Sequence, residues 1–134
     1  MRIWTHALSR WLPAMVMMLV IFLFSAQPSD NLPDFEWLDQ IVKKGGHMLG
    51  YALLAVAYLR GLGSHAERRR QAWLLAVIYA VTDEWHQSFV PGRYPSAWDV
   101  LIFDNLGALL ALWLAGALRK QKRPDTVRAV EAGR

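Results

Sequence analysis

The chain has 134 residues, of which 54% are hydrophobic and 19% are charged, and it contains no cysteine. Soluble domains are typically about 45–50% apolar and about 25% charged, and a chain this short cannot bury so much apolar surface in its own core. The composition therefore excludes a disordered chain, a collagen-like fibre and a disulfide scaffold. It predicts a membrane protein, and the length predicts one domain.

Four apolar stretches follow one another, over about residues 11–24, 45–62, 72–85 and 97–118. Helices are the expected spanning structure, because the bilayer core offers no water to satisfy free backbone groups. The fourth stretch has the roughly 20 residues that a span needs, whereas the first and third reach this length only with their polar ends. The sequence thus predicts an all-α, integral membrane four-helix bundle over residues 1–118, followed by a basic cytoplasmic tail over residues 119–134.

Glycines lie in or beside several of these stretches: Gly45, Gly46, Gly50, Gly107 and Gly116. Small residues allow the backbones of neighbouring membrane helices to approach closely. We therefore expect these positions to lie at helix contacts.

Basic residues are concentrated on one side of the predicted spans. Twelve of the fifteen lie before the first span, between the second and third, or after the fourth, together with only three acidic residues. The other side carries eight acidic and three basic residues. The positive-inside rule then predicts cytoplasmic termini and outer segments over residues 25–44 and 86–97, so the basic residues set topology and do not bind nucleic acid. We expect the first span to be retained, because Phe24 stands where a signal-peptide cleavage site needs a small residue.

Polar and ionisable residues of the spans gather near their outer ends. Each charge inside a membrane costs about 2.5–3.5 kcal/mol even on the lenient insertion scale, which makes such residues candidates for function. The set comprises Lys44, His47, Tyr51, Glu84, Gln87, Arg93, Asp99, Asp104 and Asn105. Lys44, His47 and Tyr51 share one helix face, since they are three and four residues apart. Ser25 and Gln27, at the end of the first span, reach the same level.

These residue types suit the binding of a phosphate or a carboxylate. Arg93 offers a planar fork of donors, and Lys44 offers a compact positive charge. His47 beside Asp99 or Glu84 would form the histidine–carboxylate pair that general-base or nucleophilic catalysis uses.

Two alternatives use the same residues without catalysis. One is a structural network of salt bridges, in which Asp104, set in an apolar run, takes Lys44, His47 or Arg93 as its partner. The other is a divalent metal site built from His47, Asp83, Glu84 and His86. No HExxH-type spacing places two histidines on one helical turn, so we predict no metal and no cofactor.

The order and spacing of the polar residues form a recognisable pattern. It reads Lys44-x-x-His47-x-x-x-Tyr51, then Asp83-Glu84-x-x-Gln87-x-Phe89-Val90-Pro91-Gly92-Arg93, then Asp99-Val100 and Asn105 to Gly107, with Ser25-x-Gln27-Pro28 before them. Over about residues 20–115 this pattern resembles the VanZ-like family. One departure is that Asp104 follows Asp99 by five positions where the family usually has four, which leaves Asp104 and Asn105 as alternatives for that role.

The resemblance implies a bacterial cell-envelope protein that crosses the cytoplasmic (inner) membrane several times and is linked to antibiotic resistance, specifically to teicoplanin and other glycopeptides. We hypothesise an outer-leaflet site that binds or processes a phosphate-bearing or acylated amphiphile, such as a membrane lipid. The candidate catalytic residues are His47, Glu84 and Asp99, and the candidate binding residues are Lys44, Tyr51, Gln87, Arg93, Asp104 and Asn105. Whether the protein is an enzyme stays open. One alternative is a non-catalytic protein that sequesters or shields against lipoglycopeptides, and another is a small lipid transporter subunit, which would need to oligomerise.

Overall fold

The computed structural model describes the backbone of residues 2–28, 36–93, 96, 98 and 100–121. Of these residues, it also describes the side chains of 8–28 and of those from 44 onwards. It contains four α-helices: α1 (Arg2–Ser25), α2 (Glu36–Gly61), α3 (Arg69–Gln87) and α4 (Asn105–Gln121). A short 3-10 turn (Ala66–Arg68) precedes α3, and a π-helical turn (Val100–Asp104) leads into α4. The described residues contain no strand, so the all-α prediction is confirmed.

The helices extend beyond the apolar stretches that predicted them. α1 begins at Arg2, and α2 begins at Glu36, inside the segment predicted as an outer loop. Hydrophobicity marks the part of a helix that suits a bilayer, whereas a helix continues as long as its backbone hydrogen bonds do. At the other end of the chain, α4 continues to Gln121, into the tail predicted from residue 119, and residues 122–134 of that tail lie outside the described residues.

α2 is the central helix of the bundle, because it packs against α1, α3, α4 and the π-helical turn. Its buried face consists of Tyr51, Leu54, Ala55, Tyr58 and Leu59. α3 meets this core with a row of alanines at successive helical turns, Ala72, Ala76 and Ala80. Small side chains on that face allow the two helices to pack closely.

Large apolar side chains cover the outside of the bundle instead of filling its core. On the described part of α1, six of them are more than half exposed: Leu8, Leu12, Met15, Leu19, Leu23 and Phe24. Monomeric soluble proteins rarely expose contiguous apolar patches beyond a few hundred Å². Two stretches of the described helices, Leu8–Ser25 and Val100–Gln121, are long and apolar enough to cross a membrane, and only 17% and 28% of them are buried. This outward apolar surface is typical of a membrane protein.

Close helix contacts occur at three of the five predicted glycines: Gly50, Gly107 and Gly116. Gly107 of α4 lies so near α2 that a Cβ atom there would overlap the backbone carbonyl of Met48. The prediction is wrong for Gly45 and Gly46, where an added Cβ would meet nothing within 4 Å. These two glycines therefore leave open space beside α2.

Candidate functional site

The two ends of the bundle differ in chemistry. At one end, side-chain contacts join the last turn of α1, the first half of α2, the last turns of α3 and the π-helical turn. At the other end, Trp11 packs edge-on against Tyr58 with ring centroids 6.3 Å apart, and Arg69 lies against Gly116. We call the first the polar end and the second the basic end, because Arg60 and the arginines around the start of α3 lie there.

A buried carboxylate joins three helices at the polar end. Asp83 Oδ2 accepts hydrogen bonds from Ser25 Oγ at 2.8 Å, Tyr51 OH at 3.2 Å and Gln87 Nε2 at 3.0 Å. Gln87 Nε2 also lies 3.2 Å from Ser25 Oγ, which accepts from it. All four side chains are buried, and the second oxygen, Asp83 Oδ1, has no hydrogen-bond partner among the described residues. We call these four side chains the Asp83 network; its hydrogen bonds join α1 and α2 to α3.

Helical periodicity explains why Asp83 is buried. The alanine row of α3 continues into Asp83 and Gln87, which lie one and two turns beyond Ala80 on the same face. Sequence reasoning selected Tyr51 and Gln87 but missed Asp83 and Ser25 as members of one network. The signal that would have found Asp83 is its place at the end of a stripe of small residues.

His47 has a carboxylate neighbour that differs from both predicted ones. Its Nδ1 atom lies 3.7 Å from Oδ1 of Asp104, whose side chain is 4% exposed, and its ring stacks beside Tyr51 with centroids 6.2 Å apart. Of the three partners expected for Asp104, which are Lys44, His47 and Arg93, the structure places His47 beside it. Lys44 lies nearby on the same face, with Nζ 4.9 Å from the centroid of the Phe103 ring.

The π-helical turn positions Asp104. A π-helix closes each turn over i→i+5 and so accommodates one residue more than an α-helix. Asp104 is the last residue of this turn and is buried, directly before α4. Asp99 lies outside the described residues.

Two of the predicted site residues make their contacts elsewhere. Asn105 Oδ1 accepts a 2.6 Å hydrogen bond from Trp73 Nε1, which joins α4 to α3. Of the two alternatives for the second acidic position, Asp104 is thus the one near His47. Glu84 accepts a hydrogen bond from the backbone N–H of Ser96, in the segment before the π-helical turn.

Arg93 binds the end of α1. Its Nη2 donates to the carbonyl of Phe24 at 2.9 Å, and its Nε donates to the carbonyl of Gln27 at 3.1 Å. The last carbonyls of a helix lack partners within it, and a cation there also favours the negative end of the dipole. A guanidinium has five N–H groups, so these two bonds leave three for other acceptors.

A groove of about 400 Å³ lies between α1 and α2. Its apolar wall is formed by Met17, Val20, Ile21, Phe24, Leu49 and Leu53. Its polar rim is formed by Ser25, Gln27, His47, Tyr51 and Arg93, and Gly46 and Gly50 form part of its α2 side. Phe24 and Leu49 are 67% and 60% exposed, so the groove opens sideways, towards the surface that faces lipid in a membrane.

The residues weighed as metal ligands do not form a metal-binding group. The described residues contain no group of three or more histidine, aspartate or glutamate side chains that could hold an ion. His86 instead packs against Phe22, with ring centroids 4.4 Å apart.

Comparison with known proteins gives one match. A family model described as VanZ/LLP1 covers residues 10–119, which is most of the chain and includes every described residue of the polar end. No curated protein and no solved structure matches the chain.

Proposed function

Because the chain belongs to the VanZ-like family, we propose that it is a multi-pass protein of the bacterial cytoplasmic membrane whose groove binds an amphiphile at the outer leaflet. The observation that carries the proposal is the union of an apolar wall and a polar rim in one groove. An amphiphile needs both, and a groove that opens sideways to lipid offers it an entrance.

The charge distribution supports the orientation. The basic end of the bundle carries Arg60, Arg68, Arg69 and Arg70 at the α2–α3 connection. Positively charged connections stay in the cytoplasm, which would place both termini there and the polar end outside. In this orientation all four helices cross the membrane, including α2 and α3, whose ionisable side chains lie towards their ends.

The polar rim supports an anionic or acceptor-rich head group. Arg93 has donors in excess of those that bind α1, and Lys44 and His47 add basic side chains on the neighbouring face of α2. Lipid phosphates and carboxylates pair favourably with such a set. A lipoglycopeptide with an acyl chain has the same two-part chemistry, which connects the groove with the family's association with teicoplanin resistance.

A second candidate function is chemistry on the bound head group. The observation in its favour is His47, which lines the groove with a buried carboxylate 3.7 Å from Nδ1. Such a carboxylate orients an imidazole for work as a general base. If the protein is a non-catalytic shield, the His47→Gln variant should keep full activity. If His47 acts as a general base, the same variant should lose activity.

The proposal is tested by the lipids that co-purify with the protein. Wild type, Arg93→Ala and the matched control Arg60→Ala are extracted in mild detergent, checked for helix content, and examined by mass spectrometry. Arg60 is an exposed arginine at the basic end. We expect one class of anionic amphiphile to be enriched over bulk lipid in wild type and Arg60→Ala, and lost in Arg93→Ala. Identical bulk lipids in all three samples would contradict the proposal.

A further inference from the structure

The size of the groove limits what it can hold. Its volume is about 400 Å³, near the lower end of the roughly 300–1,000 Å³ of ligand sites. A groove of this size suits one alkyl chain better than two.

The hydrogen bonds of the rim limit the head group. Ser25 and Tyr51 line the groove, but each hydroxyl has one proton, and both protons are donated to Asp83. Arg93 is different, because three of its five N–H groups are not used by the α1 carbonyls. Since Arg93 is the rim's charged donor with capacity in excess of its described bonds, it favours an acceptor that is itself charged.

The spacing between the apolar wall and the polar rim along the helices determines how the ligand's head group and alkyl chain must be joined. Phe24 of the wall directly precedes Ser25 of the rim, and on α2 His47 and Tyr51 alternate with Leu49 within little more than one turn, about 5.4 Å along the axis. The anionic group must therefore follow the chain without a long spacer. In a diacyl phospholipid, a glycerol unit and its two esters separate the phosphate from the alkyl chains. With the chains in the groove, these uncharged groups would lie opposite Arg93 in place of the phosphate.

From volume, donors and register together we propose that the groove binds a single-chain amphiphile with an anionic group at the end of its alkyl chain, a carboxylate or a phosphate, in preference to diacyl lipids. This inference rests on the proposed function, which requires only that an amphiphile occupies the groove. The chain lies along Ile21 and Leu53, and the anion lies at Arg93.

Gly46 and Gly45 provide a matched pair of variants for this groove. A Cβ atom added at either position meets nothing within 4 Å, so a side chain can leave the backbone of α2 there without a clash. Of these two glycines, Gly46 lines the groove and Gly45 does not. Gly46→Trp therefore fills the groove, and Gly45→Trp places the same side chain beside it.

The experiment uses the full chain in phosphatidylcholine nanodiscs and a 14-carbon fatty acid with a photoreactive diazirine at the chain end. Cross-linked peptides are mapped by mass spectrometry, and unlabelled tetradecanoate, tetradecyl phosphate, tetradecanol and a diacyl phosphatidylglycerol serve as competitors. We expect labelling between Met17 and Ile21 or between Leu49 and Leu53, reduced at least about tenfold in Gly46→Trp and unchanged in Gly45→Trp. Tetradecanol and phosphatidylglycerol should compete at least about tenfold more weakly than the better of the two acids, the difference expected for one charge-assisted hydrogen bond.

The outcomes separate this inference from the proposed function. If phosphatidylglycerol or tetradecanol competes as well as the acids while Gly46→Trp still blocks labelling, the single-chain anion is refuted and an amphiphile in the groove stands. If Gly46→Trp and Gly45→Trp label alike, the groove is not the binding site and both proposals fail. The two acids distinguish the source of the charge, since a carboxylate site and a phosphate site rank them in opposite orders.

Discussion

The Asp83 network predicts that Ser25 contributes strongly to stability although its side chain is small. Ser25→Ala removes the 2.8 Å hydrogen bond to Asp83 Oδ2 and an acceptor for Gln87. Gln87 Nε2 keeps its 3.0 Å bond to Asp83 but loses the acceptor of its second N–H, which stays buried. The expected loss is therefore that of one buried hydrogen bond together with one unsatisfied donor, about 1–3 kcal/mol of unfolding free energy.

Ser88→Ala is the matched control for this measurement. Ser88, which directly follows α3, is exposed, and its Oγ donates to the backbone carbonyl of Trp85 in the last turn of that helix. Its replacement should change the unfolding free energy by less than about 0.5 kcal/mol. Both variants are compared with wild type by equilibrium unfolding in mixed micelles, with helix content as the signal. A double-mutant cycle with Asp83→Asn then isolates the Ser25–Asp83 coupling.

The magnitude of the Ser25→Ala loss tests this reasoning. Hydrogen bonds between membrane helices average only about 0.6 kcal/mol, so a loss of that size would mean that the substitution leaves no unsatisfied N–H on Gln87. A Ser25→Ala loss equal to that of Ser88→Ala would refute the network as a fastening between helices.

Three further predictions concern packing, the histidine pair and topology. Gly107→Ala should lower the unfolding free energy by about 1–3 kcal/mol, because the added Cβ would overlap the Met48 carbonyl. The control Gly45→Ala should not destabilise the protein. Both are measured in the same unfolding assay, and equal effects would contradict the close contact at Gly107. His47→Ala and Asp104→Ala should be coupled by at least about 0.5 kcal/mol in a double-mutant cycle, and additive effects would show that the 3.7 Å approach carries no energy. A reporter enzyme active only outside the cytoplasm should be inactive when fused to the C-terminus and active when inserted between α3 and α4; the reverse pattern would overturn the proposed orientation.

The sequence by itself determined the class of protein and the chemistry of its two ends. Excess hydrophobicity in four blocks predicted an all-α chain, and one-sided basic residues distinguished the ends, because both signals depend only on composition along the chain. Helical spacing also placed Lys44, His47 and Tyr51 on one face, and the polar motif indicated the family. These inferences need no knowledge of how the helices pack against each other.

The tertiary structure alone decided which side chains meet. Asp83, Glu84 and His86 are neighbours in sequence, yet Asp83 turns to the core, Glu84 meets the segment before α4, and His86 packs against α1. A rotation of about 100° per residue separates such neighbours, so their partners depend on which face of α3 the alanine row turns to α2. The same holds for the carboxylate beside His47, since the π-helical turn sets the register in which Asp104 reaches it. Composition along the chain gives the inventory of polar groups at the polar end. Only the packing of α1, α2 and α3 combines them into the Asp83 network and into the groove, which share Ser25 and Tyr51.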